Sequence, residues 1–472
     1  MTEQAAPGGT RTEMVMTTIH RRIAARSLAP GAKLPSIRKL AASLNLSPST
    51  VVEAYERLVA EGAIHSRPGS GFYVVNQSVP LSLADIGPKV DRAVDPFWVS
   101  RQSLEANDEV LKPGCGWLPP NWQPEDSIRK ALRALSRASG AVLADYGSPL
   151  GLPALRQLLA RRLAERSIDC PPDQILLTES GTQAMDLVCR FLLEPGDTVL
   201  VDDPCYFNFQ ALLRAHRVKI VSTPYTPSGP DVERFAAVVA EHRPRLYITN
   251  SAIHNPTGAV LSPVTAHRVL KLAEQFSLTI VEDDIFADFE QTPAPRLAAF
   301  DGLERVISIG SFSKTLSASA RCGYIEARPD WIEGLIDLKI ACSFSAGQLN
   351  AALVLSVLSD GGYRKHMEAL HTRLAATMSN VASKLKTIGV EPWHMPQAGM
   401  MLWCRLPDGI DAAELARAAL ADNVVLAPGN VFSISQSAGG FMRFNVSQMR
   451  DERIFDVLGR SLRRLRSSPA SP

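Results

Sequence analysis

Five short apolar runs constrain this chain most: Ile175-Leu-Leu-Thr178, Thr198-Val-Leu-Val201, Leu246-Tyr-Ile-Thr249, Leu278-Thr-Ile-Val-Glu282 and Arg305-Val-Ile-Ser-Ile309. None alternates apolar with polar residues, so each reads as a strand buried on both faces. Helical patterns alternate with them. An α/β fold with a mainly parallel sheet follows, and in such sheets function gathers at the strand ends. A polar cluster follows each run: Glu179-Ser-Gly-Thr-Gln-Ala184, Asp202-Asp-Pro-Cys-Tyr-Phe207, Asn255-Pro-Thr-Gly258, Glu282-Asp-Asp284, and Ser311 through Arg321.

The last cluster, Ser311-Phe-Ser-Lys-Thr-Leu-Ser-Ala-Ser-Ala-Arg321, sets Lys314 among hydroxyls with an arginine seven residues on. A pyridoxal-phosphate (PLP) site needs a lysine amine to bond the aldehyde and a carboxylate to keep the pyridine nitrogen protonated. It also needs an aromatic cover, a donor to the ring hydroxylate, and N–H groups, hydroxyls and an arginine for the phosphate. Order and wording resemble the fold-type I aminotransferases over residues 112–466. The resemblance implies that Lys314 forms the Schiff base, Asp283 pairs with the ring nitrogen, Asn255 bonds the ring hydroxylate and Tyr206 stacks. Ser180, Gly181, Thr182, Ser311 and Arg321 then hold the phosphate. Tyr146 matches a tyrosine that reaches the phosphate of the neighbouring subunit, and Arg443 one that clamps a substrate α-carboxylate. Phe286 stands where the family commonly places a tyrosine that donates to the ring hydroxylate. The expected consequence is a Schiff base that keeps its proton to higher pH, and a weaker case for transamination.

Residues 13–76 have a different pattern. Met14–Leu28 reads as a first helix and Ser36–Leu44 as a second, with Asn45 as its left-handed cap. A third begins at Ser47 as N-cap with Pro48 at N1, and turns Val51, Tyr55, Leu58 and Val59 inward. Two strands, Ala63–Ser66 and Phe72–Val75, flank the turn Arg67-Pro-Gly-Ser-Gly71. Three helices and a hairpin make a winged helix-turn-helix. Leu34-Pro-Ser-Ile-Arg-Lys-Leu-Ala41, Ser47-Pro-Ser-Thr50, Ala54-Tyr-Glu-Arg-Leu58 and Ser66-Arg-Pro-Gly-Ser-Gly71 resemble the GntR family of bacterial regulators. That resemblance implies contact with double-stranded DNA through Arg38, Ser47, Ser49, Thr50, Arg67 and Gly69, although Ser47 and Thr50 serve equally well as helix caps. Pro48 and Val52 stand where some relatives carry arginines, so base readout would rest on few side chains.

A GntR-like head joined to an aminotransferase-like body is the arrangement of the MocR subfamily. Three parts are expected: a DNA-binding head at 13–76, a linker at 77–111, and a PLP-binding, dimerising body at 112–466. The resemblance implies a head-to-tail homodimer that senses PLP or a small amine or amino acid through Lys314 and regulates transcription. A catalytically active aminotransferase with an accessory head, or a body that serves only as a scaffold, are the alternatives.

Charge fits this division. Residues 1–76 hold nine Lys/Arg against five Asp/Glu, while the whole chain is at +2, so the basic excess lies in the head. Seven cysteines (115, 170, 189, 205, 322, 342, 404) are scattered without a Cys-x-x-Cys, which argues against a zinc site or a disulfide framework. No metal is expected. The polar first dozen residues lack an apolar signal core, and no apolar run reaches membrane-spanning length, so a cytoplasmic location is expected. Pro80, Pro88 and Pro96 mark the linker, and 95–101 is an apolar patch that could dock on the body.

Overall fold

The computed structural model describes residues 10–24, 27–28, 31–75, 104–105 and 109–467. They form two compact units divided after Ser82. The linker patch at 95–101 lies outside the described residues.

In the first unit, helices α1 (Arg11–Ala24), α2 (Ile37–Leu44) and α3 (Pro48–Ala60) precede a hairpin of β1 (Ile64–Arg67) and β2 (Gly71–Val74). Local chemistry sets the helix ends. Ser36 and Ser47 cap α2 and α3 through their side chains, Asn45 is left-handed at φ 54°, and Pro48 opens α3. Helix α1 ends four residues before the expected Leu28, which lies buried beyond it. Val15, Ile19, Val51, Ala54, Tyr55, Leu58 and Ile64 form the core. Tyr55 donates to Pro35 O at 2.8 Å and meets Phe72 edge-on. Val59, expected to face inward, is exposed, and Ala54 takes the inward place.

The second unit is built on an eight-stranded sheet. Its strands are β3 (Ile175–Thr178), β4 (Thr198–Asp203), β5 (Lys219–Thr226), β6 (Gly229–Pro230), β7 (Leu246–Thr249), β8 (Thr279–Asp283), β9 (Val306–Ser311) and β10 (Gly323–Glu326). Their order is β3-β10-β9-β8-β7-β4-β5-β6. The five central strands pair in parallel, whereas β10 runs antiparallel to both β9 and β3. Strand alternation sorts the side chains. Val281 packs with Leu176, Val201, Ile248 and Ile307 under one face, and Ile280 with Leu200, Tyr247 and Val306 under the other. Asp283 therefore leaves β8 on the face opposite Glu282. The Glu282 carboxylate turns back to accept from Leu297 N and Ala298 N, at the start of the helix Leu297–Asp301.

A 27-residue helix, Gly361–Thr387, leads to a four-stranded antiparallel sheet of β11 (Glu391–Pro392), β12 (Met401–Arg405), β13 (Ala427–Pro428) and β14 (Phe441–Asn445), in the order β11-β12-β14-β13. Among the described residues, no helix is long and apolar enough to cross a membrane.

Candidate cofactor site and DNA-contact surface

The C-terminal ends of β3, β8 and β9 open into one cavity of about 440 Å³. Ser180, Gly181, Thr182, Tyr206, Asp283, Ser311, Lys314 and Arg321 line it. Ser180 caps the helix Gly181–Leu192 by accepting from Gln183 N, which leaves the first N–H groups of that helix facing the cavity. A Cβ on Gly181 would come within 3.1 Å of Ile285 Cγ2, so a larger residue would narrow this cradle. Ser311 donates to Ser313 Oγ at 3.1 Å. Arg321 takes a left-handed φ of 35° and lines the same wall.

Burial governs the two central ionisable groups. It lowers the Lys314 amine to about 8, with Arg443 adding to the effect. It raises the Asp283 carboxyl to about 7, against the opposing hydrogen bond from Ile285 N. Asp283 makes no ion pair among the described residues. A buried carboxyl without a cation, beside an amine poised to lose its proton, fits a protonated pyridine ring and an aldehyde carbon respectively.

A strap at residues 111–117 crosses this corner. Gly114 N donates to Val425 O, and Asn445 N to Pro113 O. Lys314 Nζ donates to Gly116 O at 2.8 Å, and Arg443 Nη2 to Gly114 O at 2.7 Å. A Cβ on Gly114 would lie 2.5 Å from the Ala427 backbone, so only glycine lets the strap pass here. Arg443 on β14 also donates to Asn255 Oδ1 at 2.9 Å, while its buried Nε has no partner. Asn255 and Arg443 are thus paired with each other beside Lys314, and neither is among the cavity-lining residues.

Several placements bear on the sequence reading. Phe286 does not line the cavity: after Asp283 the chain turns, Ala287 N bonding Asp284 O, and Phe286 packs against Phe289 in the core. Ile285 takes the wall instead. Tyr146 is 81% exposed against Phe344, away from this chain's own cavity. Lys112, Trp117, Asn208 and Ser313 line the cavity without having been singled out. Ser313, in Ser311-x-Ser-Lys, was the one within reach of the motif.

In the head, Ser47 Oγ joins Ser49 Oγ at 2.9 Å and Thr50 Oγ1 at 2.8 Å, and accepts from Thr50 N. These hydroxyls cap α3, and those of Ser47 and Ser49 are exposed. Arg38 and Arg67 are exposed, and Gly69 turns the wing at φ 72°. Arg57 is paired with Glu53 and His20 with Glu61, whereas Lys33, Arg38, Lys39 and Arg67 have no ion pair among the described residues.

The family model for class I and II aminotransferases matches residues 119–460, and that for bacterial regulatory proteins of the gntR family matches 11–74. The HTH-type transcriptional regulator YdcR of Escherichia coli is 30% identical over 435 residues, covering 90% of this chain and 92% of that one. A 2-aminoadipate transaminase of Thermus thermophilus is 29% identical over 74% of this chain and 90% of its own length. Among solved structures, the α-aminoadipate aminotransferase LysN of Thermus thermophilus, complexed with N-(5'-phosphopyridoxyl)-L-leucine, superposes with a TM-score of 0.71. It is 26% identical, over 78% of this chain and 95% of that one. The chain therefore belongs to the MocR subfamily of GntR-type bacterial transcriptional regulators, in which a winged helix-turn-helix precedes a class I and II aminotransferase domain.

Proposed function

We propose that this regulator binds PLP at Lys314 and that its DNA binding responds to PLP or to a small amine or amino acid reacting there. The observation that carries this reading is the convergence, in one cavity, of a buried Lys314 amine, an unpaired Asp283 carboxyl and the helix start at Ser180–Thr182 flanked by Arg321. Ser180, Gly181, Thr182, Ser311 and Arg321 would hold the phosphate, Asp283 the ring nitrogen, and Tyr206 the ring face. Tyr146 would serve the partner's site in a head-to-tail homodimer. When bound, the cofactor supplies an aldehyde for the Lys314 amine and a ring that draws electrons from an attached amine.

The strap links occupancy to the rest of the chain. Lys314 would give up its hydrogen bond to Gly116 O if it held the cofactor. A ligand carboxylate that engages Arg443 displaces Gly114 O. Displacement of the strap is the change by which ligation in the body would reach DNA binding. In the head, the α3 hydroxyls, Arg38, Arg67 and Gly69 contact DNA.

Two experiments test the reading. Borohydride reduction after PLP addition should fix a pyridoxyl group on Lys314 by mass spectrometry. Footprinting on DNA flanking the gene should change when PLP or an effective amine is added. The relation to 2-aminoadipate transaminase supports a second reading, turnover of an amino donor with a keto acid. Rates of roughly one per second or faster would favour it.

A further inference from the structure

Tyr73 on the wing is surrounded by cations. Residues 31–34 run beside β2 as a third edge: Leu34 N donates to Phe72 O at 2.8 Å, Val74 N to Ala32 O at 3.0 Å, and Lys33 bridges Tyr73. This places Lys33 Nζ 5.9 Å from the Tyr73 ring centroid and its Cε against Gly71, where a Cβ would approach to 3.4 Å. From the hairpin, Arg67 brings its guanidinium carbon to 4.7 Å from the same ring. Ser70 Oγ meets the Tyr73 hydroxyl at 2.6 Å, and the His65 ring stacks at 5.9 Å. Lys33 and Arg67 are both exposed, and neither has a carboxylate partner among the described residues.

An exposed lysine with no partner ordinarily samples many rotamers, and ordering it opposes binding. Here the ring attracts both cations and the glycine surface carries the lysine stem, so two positive charges are held together before any ligand arrives. Such a pair suits a polyanion whose charges repeat at short, fixed spacing. On a basic domain that already offers helix-cap hydroxyls, that polyanion is the sugar–phosphate backbone of duplex DNA. We propose that Lys33, Tyr73 and Arg67 form one phosphate clamp on the wing, with Tyr73 as a positioning residue and Lys33 as a DNA contact in its own right. The clamp rests on the DNA-binding reading above and adds Lys33 and Tyr73 to it.

The test is the salt dependence of binding by the full chain to two duplexes, one carrying the footprinted site and one unrelated. Lys33→Met keeps the stem and removes the charge. It should weaken binding to both duplexes alike and flatten the log–log salt slope by about 0.9, the value for one phosphate contact. Arg67→Met should do the same. Tyr73→Leu leaves both charges, so the slope should stay while affinity falls about three-fold for want of the aromatic face, and Tyr73→Phe should bind like the parent. Far-UV circular dichroism melts would verify that each head is folded. A Lys33→Met protein with the parental slope on both duplexes overturns the clamp alone. A parent protein that binds neither duplex overturns the DNA reading and the clamp together.

Discussion

Lys314 and Asp283 illustrate how one environment tunes two groups in opposite senses. Burial disfavours charge on each, so the amine falls to about 8 and the carboxyl rises to about 7. The rate of PLP attachment, read by reductive trapping at Lys314, should therefore rise with pH and level off near 8 rather than above 10. A rate still climbing steadily at pH 9 would contradict the lowered amine. The Asp283 shift also bears on stability. Its folded value lies above the unfolded one, so its stabilising contribution is full below about pH 4 and is lost as pH rises through about 7. Without PLP, Asp283→Asn should flatten that decline and raise the melting temperature at pH 8, while weakening PLP binding. Loss of both stability and PLP affinity in the variant would argue that the carboxyl is purely structural.

At the scale of elements, Asp288 ties several pieces together. Its carboxylate accepts from Arg162 and Arg166 at 2.6 Å, from Tyr363 at 2.9 Å and from Thr315, next to Lys314, at 3.4 Å. Burial alone would raise this carboxyl, but the two guanidinium groups together hold it well below the usual carboxylate range. Its contribution is thus present above about pH 4 and lost as pH falls through its lowered value. Asp288→Ala leaves two arginines without their anion and should cost about 3–5 kcal/mol in urea unfolding. A cost under about 1 kcal/mol would show the pairs to be solvent-screened. In the head, Ser47→Ala removes the α3 cap and should cost about 1 kcal/mol of thermal stability.

What could be read from the chain follows the same physics. The caps at Asn45 and Ser47 and the Pro48 at N1 were legible because their chemistry is local, whereas Ser36, read as the first helical residue, is the N-cap of α2. Of the five strands that pair in parallel, β4, β7, β8 and β9 were legible because burial on both faces leaves unbroken apolar runs, whereas β5, only partly buried along Lys219–Thr226, was not. Strand β10 was not: its Glu326 is buried beside Ser308 across the register, and a glutamate argues against a core strand. The loop around Leu111–Trp122 could be read as bearing on pocket specificity, but not its contacts, which run through the carbonyls of Gly114 and Gly116 to Arg443 and Lys314, far along the chain. Phe286 brings no donor to the cavity, and a turn rather than sequence spacing puts Ile285 on its wall.

At the scale of the whole molecule, two units with separate cores share one chain, and the central claim is that chemistry at Lys314 alters DNA binding by the head. The direct measurement is the affinity of the full protein for its footprinted duplex at fixed salt, with and without PLP, for the parent and for Lys314→Ala. The account predicts that PLP changes the affinity or footprint of the parent and leaves Lys314→Ala unaffected. Equal responses in the two proteins, or none in either, would contradict it.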